Sequence, residues 1–286
     1  MEPIHTPKPN TIPFGAVRQA SIVQRTTSGA REREDALVVE EPLEISLGHG
    51  PSGQRQTLSL AVTMRTPGEE EALAVGFLLT EGIIATLQQV IQIRRLDINK
   101  IRVDLQPEVA IEASRLRRNM FAASGCGICG KASLEAVEIQ SYYFPQPAAP
   151  VVDFNVLRHL PERLRAAQAA FQQTGGLHAA GLFNTSGELL YHCEDVGRHN
   201  AVDKVIGTAL LGHRVLPFRE WLLLVSGRAG FELVQKAAMA GLPLLAAVGA
   251  PSSLAVDMAE SSGMTLVGFL REERCNVYTH AERLVG

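Results

Sequence analysis

Short apolar runs alternate with amphipathic stretches through the last third of the chain. Residues 221–225, 244–248 and 265–270 read as buried strands. Residues 229–240 and 252–262 read as the helices between them, stopped by Gly241 with Pro243 and by Gly263. This spacing predicts a βαβαβ unit with parallel strands and right-handed crossovers. Its strand-to-helix loops, Ser226-Gly227-Arg228, residues 249–253 and residues 271–274, then fall at one edge of the sheet. Open α/β sheets take ligands at that carboxyl edge. The loops supply glycine, serine, helix-start N–H groups and arginines, the chemistry of phosphate binding, although the chain has no P-loop and no G-x-G-x-x-G. Patterning alone leaves open that they are only caps and turns.

The earlier part reads as α+β. Residues 36–47 and 58–64 carry strand patterns, and residues 90–96 and 101–105 a further strand pair. Between them Thr66-Pro67-Gly68-Glu69 predicts a helix start, with Thr66 as N-cap, Pro67 at N1 and Glu69 completing a capping box. That helix stops at Gly82. Residues 131–139 read as a short helix, residues 143–150 as a proline-rich linker and residues 156–171 as an amphipathic helix. Strands at 179–183 and 189–193 follow, then a helix opening at Asp195 and ending near Gly212.

Composition narrows the picture without deciding it. A chain of 286 residues has room for a substantial core, and 46% hydrophobic with 20% charged residues is ordinary for a globular protein. A formal net charge of −3 gives no reason to expect nucleic-acid binding. No early apolar run resembles a signal peptide and none reaches the length of a membrane span, so a cytoplasmic protein without membrane contact is expected. The polar, proline-bearing start predicts a mobile tail over residues 1–34. The expected organisation is then a smaller α+β domain over 35–124, a dicysteine loop, helix and linker over 125–150, and an α/β domain over 151–286.

The most pointed chemistry is Gly125-Cys126-Gly127-Ile128-Cys129-Gly130. Two thiols three residues apart sit on a backbone freed by glycines, ahead of a predicted helix and Lys131. A helix start and a lysine both favour thiolate over thiol. The residues fit several readings: half of a zinc site, thiol–disulfide exchange, a loop carrying sulfane sulfur as a persulfide, or buried packing. The zinc reading lacks a partner pair, because the chain has four cysteines and Cys193 and Cys275 are isolated. Three glycines argue against packing. His192-Cys193-Glu194 matches the H-x-E of a zinc deaminase, but it follows the C-x-x-C rather than preceding it, so deamination is not expected.

Two further groups are candidates for a binding or acid–base role. Arg198, His199 and Asn200 exceed what a helix start after Asp195 requires, whereas Asp203 and Lys204 read as a solvated face. His178, after Gly175 and Gly176, is either a satisfied core histidine or a site residue.

Several segments in one order resemble a known family. They are Thr66-Pro-Gly-Glu-Glu70, Gly76-Phe-Leu-Leu-Thr-Glu-Gly82, Cys126-Gly-Ile-Cys-Gly-Lys131, Thr174-Gly-Gly-Leu-His178 and residues 194–204. Ser226-Gly-Arg228, Ala250-Pro-Ser-Ser-Leu-Ala-Val256 and Asn276-Val-Tyr-Thr-His280 complete the set. Over residues 35–284 the chain resembles the formate dehydrogenase accessory sulfurtransferase (FdhD) family. The resemblance implies a cytoplasmic sulfur carrier. It takes sulfur from a cysteine desulfurase and delivers it to the molybdenum or tungsten bis(molybdopterin guanine dinucleotide) cofactor before insertion into formate dehydrogenase. It implies persulfide chemistry at Cys126, with Cys129 assisting, and no permanent metal. The family's cofactor-binding stretch falls on Phe269-Leu270-Arg271-Glu272-Glu273-Arg274. With Ser226, Gly227, Arg228, His178, Arg198 and His199 these make up the expected binding residues, and guanine nucleotides are expected to bind there as cofactor fragments. The implied fold is a cytidine-deaminase-like three-layer α/β domain with a smaller β-rich N-terminal domain, paired as a homodimer. Gly125 stands where the family commonly has serine, and Cys193 where arginine is familiar. A cofactor-binding chaperone and a thiol–disulfide oxidoreductase are the competing functions.

Overall fold

The computed structural model describes residues 12–13, 15–111, 143–146 and 149–286. The dicysteine, the predicted helix at 131–139 and most of the 125–150 segment lie outside the described residues.

A six-stranded sheet organises the second half, in the order β13-β12-β11-β10-β8-β9. Its strands are β8 (His178–Asn184), β9 (Leu189–Asp195), β10 (Trp221–Val225), β11 (Leu244–Ala247), β12 (Thr265–Gly268) and β13 (Asn276–Thr279). β10, β11 and β12 run parallel, while β8, β9 and β13 pair antiparallel to their neighbours. The expected βαβαβ unit is therefore present, although the loop after β12 turns back into β13 instead of opening a helix.

The central strands are apolar throughout because both faces are covered. Leu223, Val225, Leu245 and Ala247 face one core with the helices α5 (Arg198–Leu211), α6 (Phe231–Met239) and α7 (Ser253–Ser261). Leu222, Leu224, Leu244 and Ala246 face the other, beside α2 (Phe154–Leu157) and α3 (Leu160–Ala167). This is the expected three-layer α/β arrangement. Behind α2 lies a small parallel pair, β7 (Val152–Asp153) with β14 (Leu284–Val285).

A four-stranded sheet, β4-β3-β6-β5, forms the smaller half. It comprises β3 (Glu41–His49), β4 (Gln56–Arg65), β5 (Val90–Asp97) and β6 (Lys100–Leu105), with α1 (Glu70–Thr80) connecting its halves. α1 crosses α5 with almost no space between backbones. A Cβ on Gly76 would lie 1.9 Å from the Asp203 carbonyl oxygen, and one on Gly207 would lie 1.9 Å from that of Ala72. Glycine at both crossing points lets the two halves share one core.

Four local expectations need correction. The tail expected over residues 1–34 contains a hairpin, β1 (Val17–Thr26) with β2 (Gly29–Val38). Its strands carry Val17, Ile22, Val23 and Val38, and Gly29 supplies a positive φ of 136° at the turn, signals hidden by the polar composition around them. α1 begins at Glu70 rather than after Thr66. Thr66 cannot cap it because its hydroxyl accepts from Val196 N at 3.1 Å and its carbonyl accepts from Lys204 Nζ at 2.9 Å. The helix expected over 156–171 is broken into α2, α3 and α4 (Ala169–Thr174). Glu194 causes the last break by accepting from the N–H groups of Ala170 and Phe171 at 3.0 and 2.8 Å. Finally, Asp203 and Lys204 are not a solvated face: both are buried.

Candidate functional site

The site is built on an ionic floor that joins the two halves. Lys204 Nζ lies 2.8 Å from Asp195 Oδ2, and neither side chain is exposed. Asp195 also accepts from Thr66 N at 3.1 Å, Gly197 N at 2.8 Å and Asn200 Nδ2 at 3.0 Å. It thereby ties β9, α5 and the segment before α1 together, while Gly197 occupies the N-cap of α5. One turn along, Lys236 Nζ lies 2.9 Å from Asp203 Oδ2 and 3.3 Å from Glu81 Oε1, and Thr80 Oγ1 donates to Asp203 at 2.7 Å. Burial alone would lower both lysines. The carboxylates of Asp195 and Glu69 hold Lys204 above the ordinary lysine range, and those of Asp203 and Glu81 do the same for Lys236.

Above this floor, β8 and β9 bring residues to the carboxyl edge because they run against β10. Val225 pairs with Ala180, so His178 stands just beyond the end of β10, and His178 itself pairs with Asp195. The loop after β10 is fixed on this neighbour. Ser226 N donates to Ala179 O at 2.9 Å, and Ser226 Oγ accepts from Ala179 N at 2.9 Å. The next loop locks on in turn: Gly249 N donates to Gly227 O at 2.9 Å, and Ala229 N donates to Ala250 O at 3.1 Å. A Cβ on Gly249 would lie 2.9 Å from the Arg228 backbone, so only glycine allows this stacking of loops.

Cationic side chains gather over that loop. A Cβ on Gly227 would lie 3.3 Å from His178 Nδ1, and one on Gly230 would lie 3.9 Å from Arg198 Nη2. Both side chains therefore rest against bare backbone. Burial, then Arg198 and His199, hold His178 below the ordinary histidine range, with Asp195 opposing them. His199 Nε2 lies 2.7 Å from Glu232 Oε2, but without the alignment of a hydrogen bond. Arg228 is exposed on the same loop.

The stretch Phe269–Arg274 reaches the same edge through the chain of loops, with roles divided among its residues. Phe269 N donates to Gly249 O at 3.0 Å; the residue has a φ of 50° and its ring is exposed. Leu270 is fully buried in the core beside α2, so its side chain is unavailable to a ligand. Arg271 Nη1 donates to Val248 O at 2.7 Å and braces the loop, while its N–H donates to Arg274 O at 2.9 Å. Glu272, Glu273 and Arg274 are exposed, and Glu272 O accepts from Arg158 at 3.3 Å. A cavity of about 250 Å³ lies away from this edge, lined by Leu79, Ile83, Gln89, Val109, Tyr143 and Met239 among others.

Cys126 and Cys129 lie outside the described residues. Of the two cysteines that are described, Cys193 is buried and its thiol is pushed up to about 12, first by burial and then by the nearby Glu69 charge. Cys193 is therefore inert as a nucleophile at neutral pH. No group of three metal-ligating side chains occurs among the described residues. Glu194, in the H-x-E stretch, is committed to the backbone of α4. No helix among the described residues is long and apolar enough to cross a membrane.

Residues 38–285 match the FdhD/NarQ family. The chain belongs to that family. It is 50% identical over 272 residues to a sulfur carrier protein FdhD of Mycolicibacterium paratuberculosis, covering 92% of this chain and 97% of the relative. It is likewise 50% identical over 282 residues to a protein of the same name from Streptomyces coelicolor, covering 95% and 97%. A crystal structure of a formate dehydrogenase accessory protein from Desulfotalea psychrophila shares its fold, with a TM-score of 0.75, 27% identity, and coverage of 94% of this chain and all of that one.

In this FdhD/NarQ chain the structure brings His178, Arg198, His199, Ser226, Gly227 and Arg228 to one edge and links Phe269–Arg274 to it through Gly249. Sequence reasoning placed the loop that begins at Gly249 at this edge but missed Glu232 and Gly230. The only signal for Glu232 was an acid in the first turn of a predicted helix, which is common for reasons of helix polarity alone.

Proposed function

We propose that this protein is a cytoplasmic sulfur carrier for formate dehydrogenase maturation, working as a homodimer. The Cys126 thiolate attacks the outer sulfur of a cysteine desulfurase's persulfide, giving Cys126–S–SH and releasing the desulfurase thiolate. Attack by the Cys129 thiolate on the inner sulfur then forms the Cys126–Cys129 disulfide and releases hydrosulfide, so the two thiols supply the two electrons that reduce the carried sulfur. The recipient is the molybdenum bis(molybdopterin guanine dinucleotide) cofactor, docked as substrate on the carboxyl edge before it enters formate dehydrogenase. Arg198, Arg228 and Arg274 meet its phosphates and Phe269 offers an exposed ring to guanine. The observation that carries this reading is the gathering of cations over loop 226–230, in a chain half-identical to proteins named as sulfur carriers.

Incubation with a cysteine desulfurase and cysteine, followed by mass spectrometry, tests it. The reading expects a one-sulfur adduct on the Cys126 peptide and none in Cys126→Ala. A stoichiometric metal with no adduct supports a cofactor chaperone instead, and turnover of a dithiol without any sulfur donor supports an oxidoreductase.

A further inference from the structure

The loop over residues 226–230 is bonded to its neighbours on both sides, yet part of its backbone is unsatisfied. Ser226 is bonded to Ala179, and the loop exchanges bonds with its neighbour through Gly249 N to Gly227 O, Ala229 N to Ala250 O and Ser252 N to Ala229 O. The N–H groups of Gly227, Arg228 and Gly230 meet no acceptor among the described residues. These three N–H groups are left to meet an anion. The side chains of His178 and Arg198 rest against the loop's glycines, and neither side chain has a hydrogen bond or ion pair among the described residues.

We propose that these N–H groups, with His178 and Arg198, seat one phosphate of a diphosphate ester, and that seating it draws a proton from solvent onto His178. This rests on the reading of the carboxyl edge as a guanine-dinucleotide site. The argument is one of charge. The charged groups acting on His178 are Arg198 and His199 from α5 and Asp195 from β9. Asp195 is spent on Lys204 at 2.8 Å, and Glu232 of α6 faces His199 at 2.7 Å. An added charge on His178 is therefore opposed first by burial and then by Arg198 and His199, which holds its proton affinity low. A phosphate over the loop places negative charge beside the ring and favours the imidazolium. Between the free and the bound proton affinities, binding takes up a proton and weakens as pH rises.

Calorimetry with GDP-mannose tests this, because its pyrophosphate diester has no group titrating near neutral pH. Titrations in two buffers of different ionisation heat, between about pH 6 and 8, bracket an ordinary histidine. The proposal expects net proton uptake and an affinity that falls by up to about tenfold per pH unit within the window. In His178→Gln the uptake disappears and the affinity no longer varies with pH. In Arg198→Ala, where His178 is easier to charge beforehand, binding weakens and the uptake shrinks; this second variant carries the test if the first does not fold. Binding without uptake, or uptake unchanged in both variants, overturns the proposal and leaves the guanine reading standing. If GDP-mannose fails to bind while inorganic pyrophosphate binds with His178-dependent uptake, the phosphate seat stands and the guanine reading falls. If neither binds, both fall.

Discussion

Two clusters of charge lie close together in this molecule and are treated in opposite ways. At the crossing of α1 and α5, Lys204 and Lys236 are buried and each is matched to carboxylates within 3.5 Å. On the carboxyl edge, Arg198 and Arg228 have no carboxylate partner among the described residues, and His178 is held below its usual proton affinity. The first cluster spends its charges on holding two halves together; the second keeps them available. The difference distinguishes scaffold from site more sharply than residue type does, because both clusters come from the one segment spanning residues 194–204 and the elements around it.

The sharpest way to break the comparison is to unpair the scaffold. Lys204→Met leaves Asp195 buried without its cation and should cost about 3–5 kcal/mol in urea unfolding. Gly207→Ala drives a methyl into the Ala72 carbonyl and should cost about 1–3 kcal/mol by the same measurement, or more if α1 and α5 cannot part.

A third test uses pH. Glu70 is buried between Arg65 at 3.3 Å and Arg95 at 2.5 Å. Burial would raise its proton affinity, but the N–H of Gly68, its own N–H, Arg95 and Arg65 outweigh this and hold it below the usual glutamate range. Its stabilising contribution is therefore present above the ordinary glutamate pKa and is lost as pH falls through the lower, folded value. Glu70→Gln should lose roughly 1–2 kcal/mol at neutral pH, and the gap to the wild type should close on acidification.

The smallest effect on stability belongs to the site itself. Arg198→Ala and Arg228→Ala should stay within about 0.5 kcal/mol of the wild type in unfolding. Each should nonetheless weaken GDP-mannose binding by about tenfold, the worth of one charge-assisted contact. Equal losses of stability would erase the distinction between scaffold and site.

The sequence makes some of this arrangement legible and hides the rest. Strands such as 221–225 were readable because continuous apolar runs between helical stretches have few other outcomes. The carboxyl-edge loops followed from that topology. The start of α1 was misread because a Thr-Pro-Gly-Glu box is a local signal, whereas Thr66 is claimed by Val196 and Lys204, far away in the chain. Asp203 and Lys204 looked solvated because nothing near them in sequence announces Lys236 or Asp195 as buried partners at 2.9 and 2.8 Å. The motif containing His178 was visible, but its lowered proton affinity depends on burial in the fold and then on Arg198 and His199 arriving from another element. Pairing across elements is the information that local patterns omit.

The central claim is that sulfur rides on Cys126 and is handed over at the unpaired cationic edge. Formate dehydrogenase activity in cells lacking the native gene, complemented with Cys126→Ala, tests it most directly. The account predicts no active enzyme from a variant that accumulates to wild-type level and still binds GDP-mannose. Full activity restored by Cys126→Ala would contradict it.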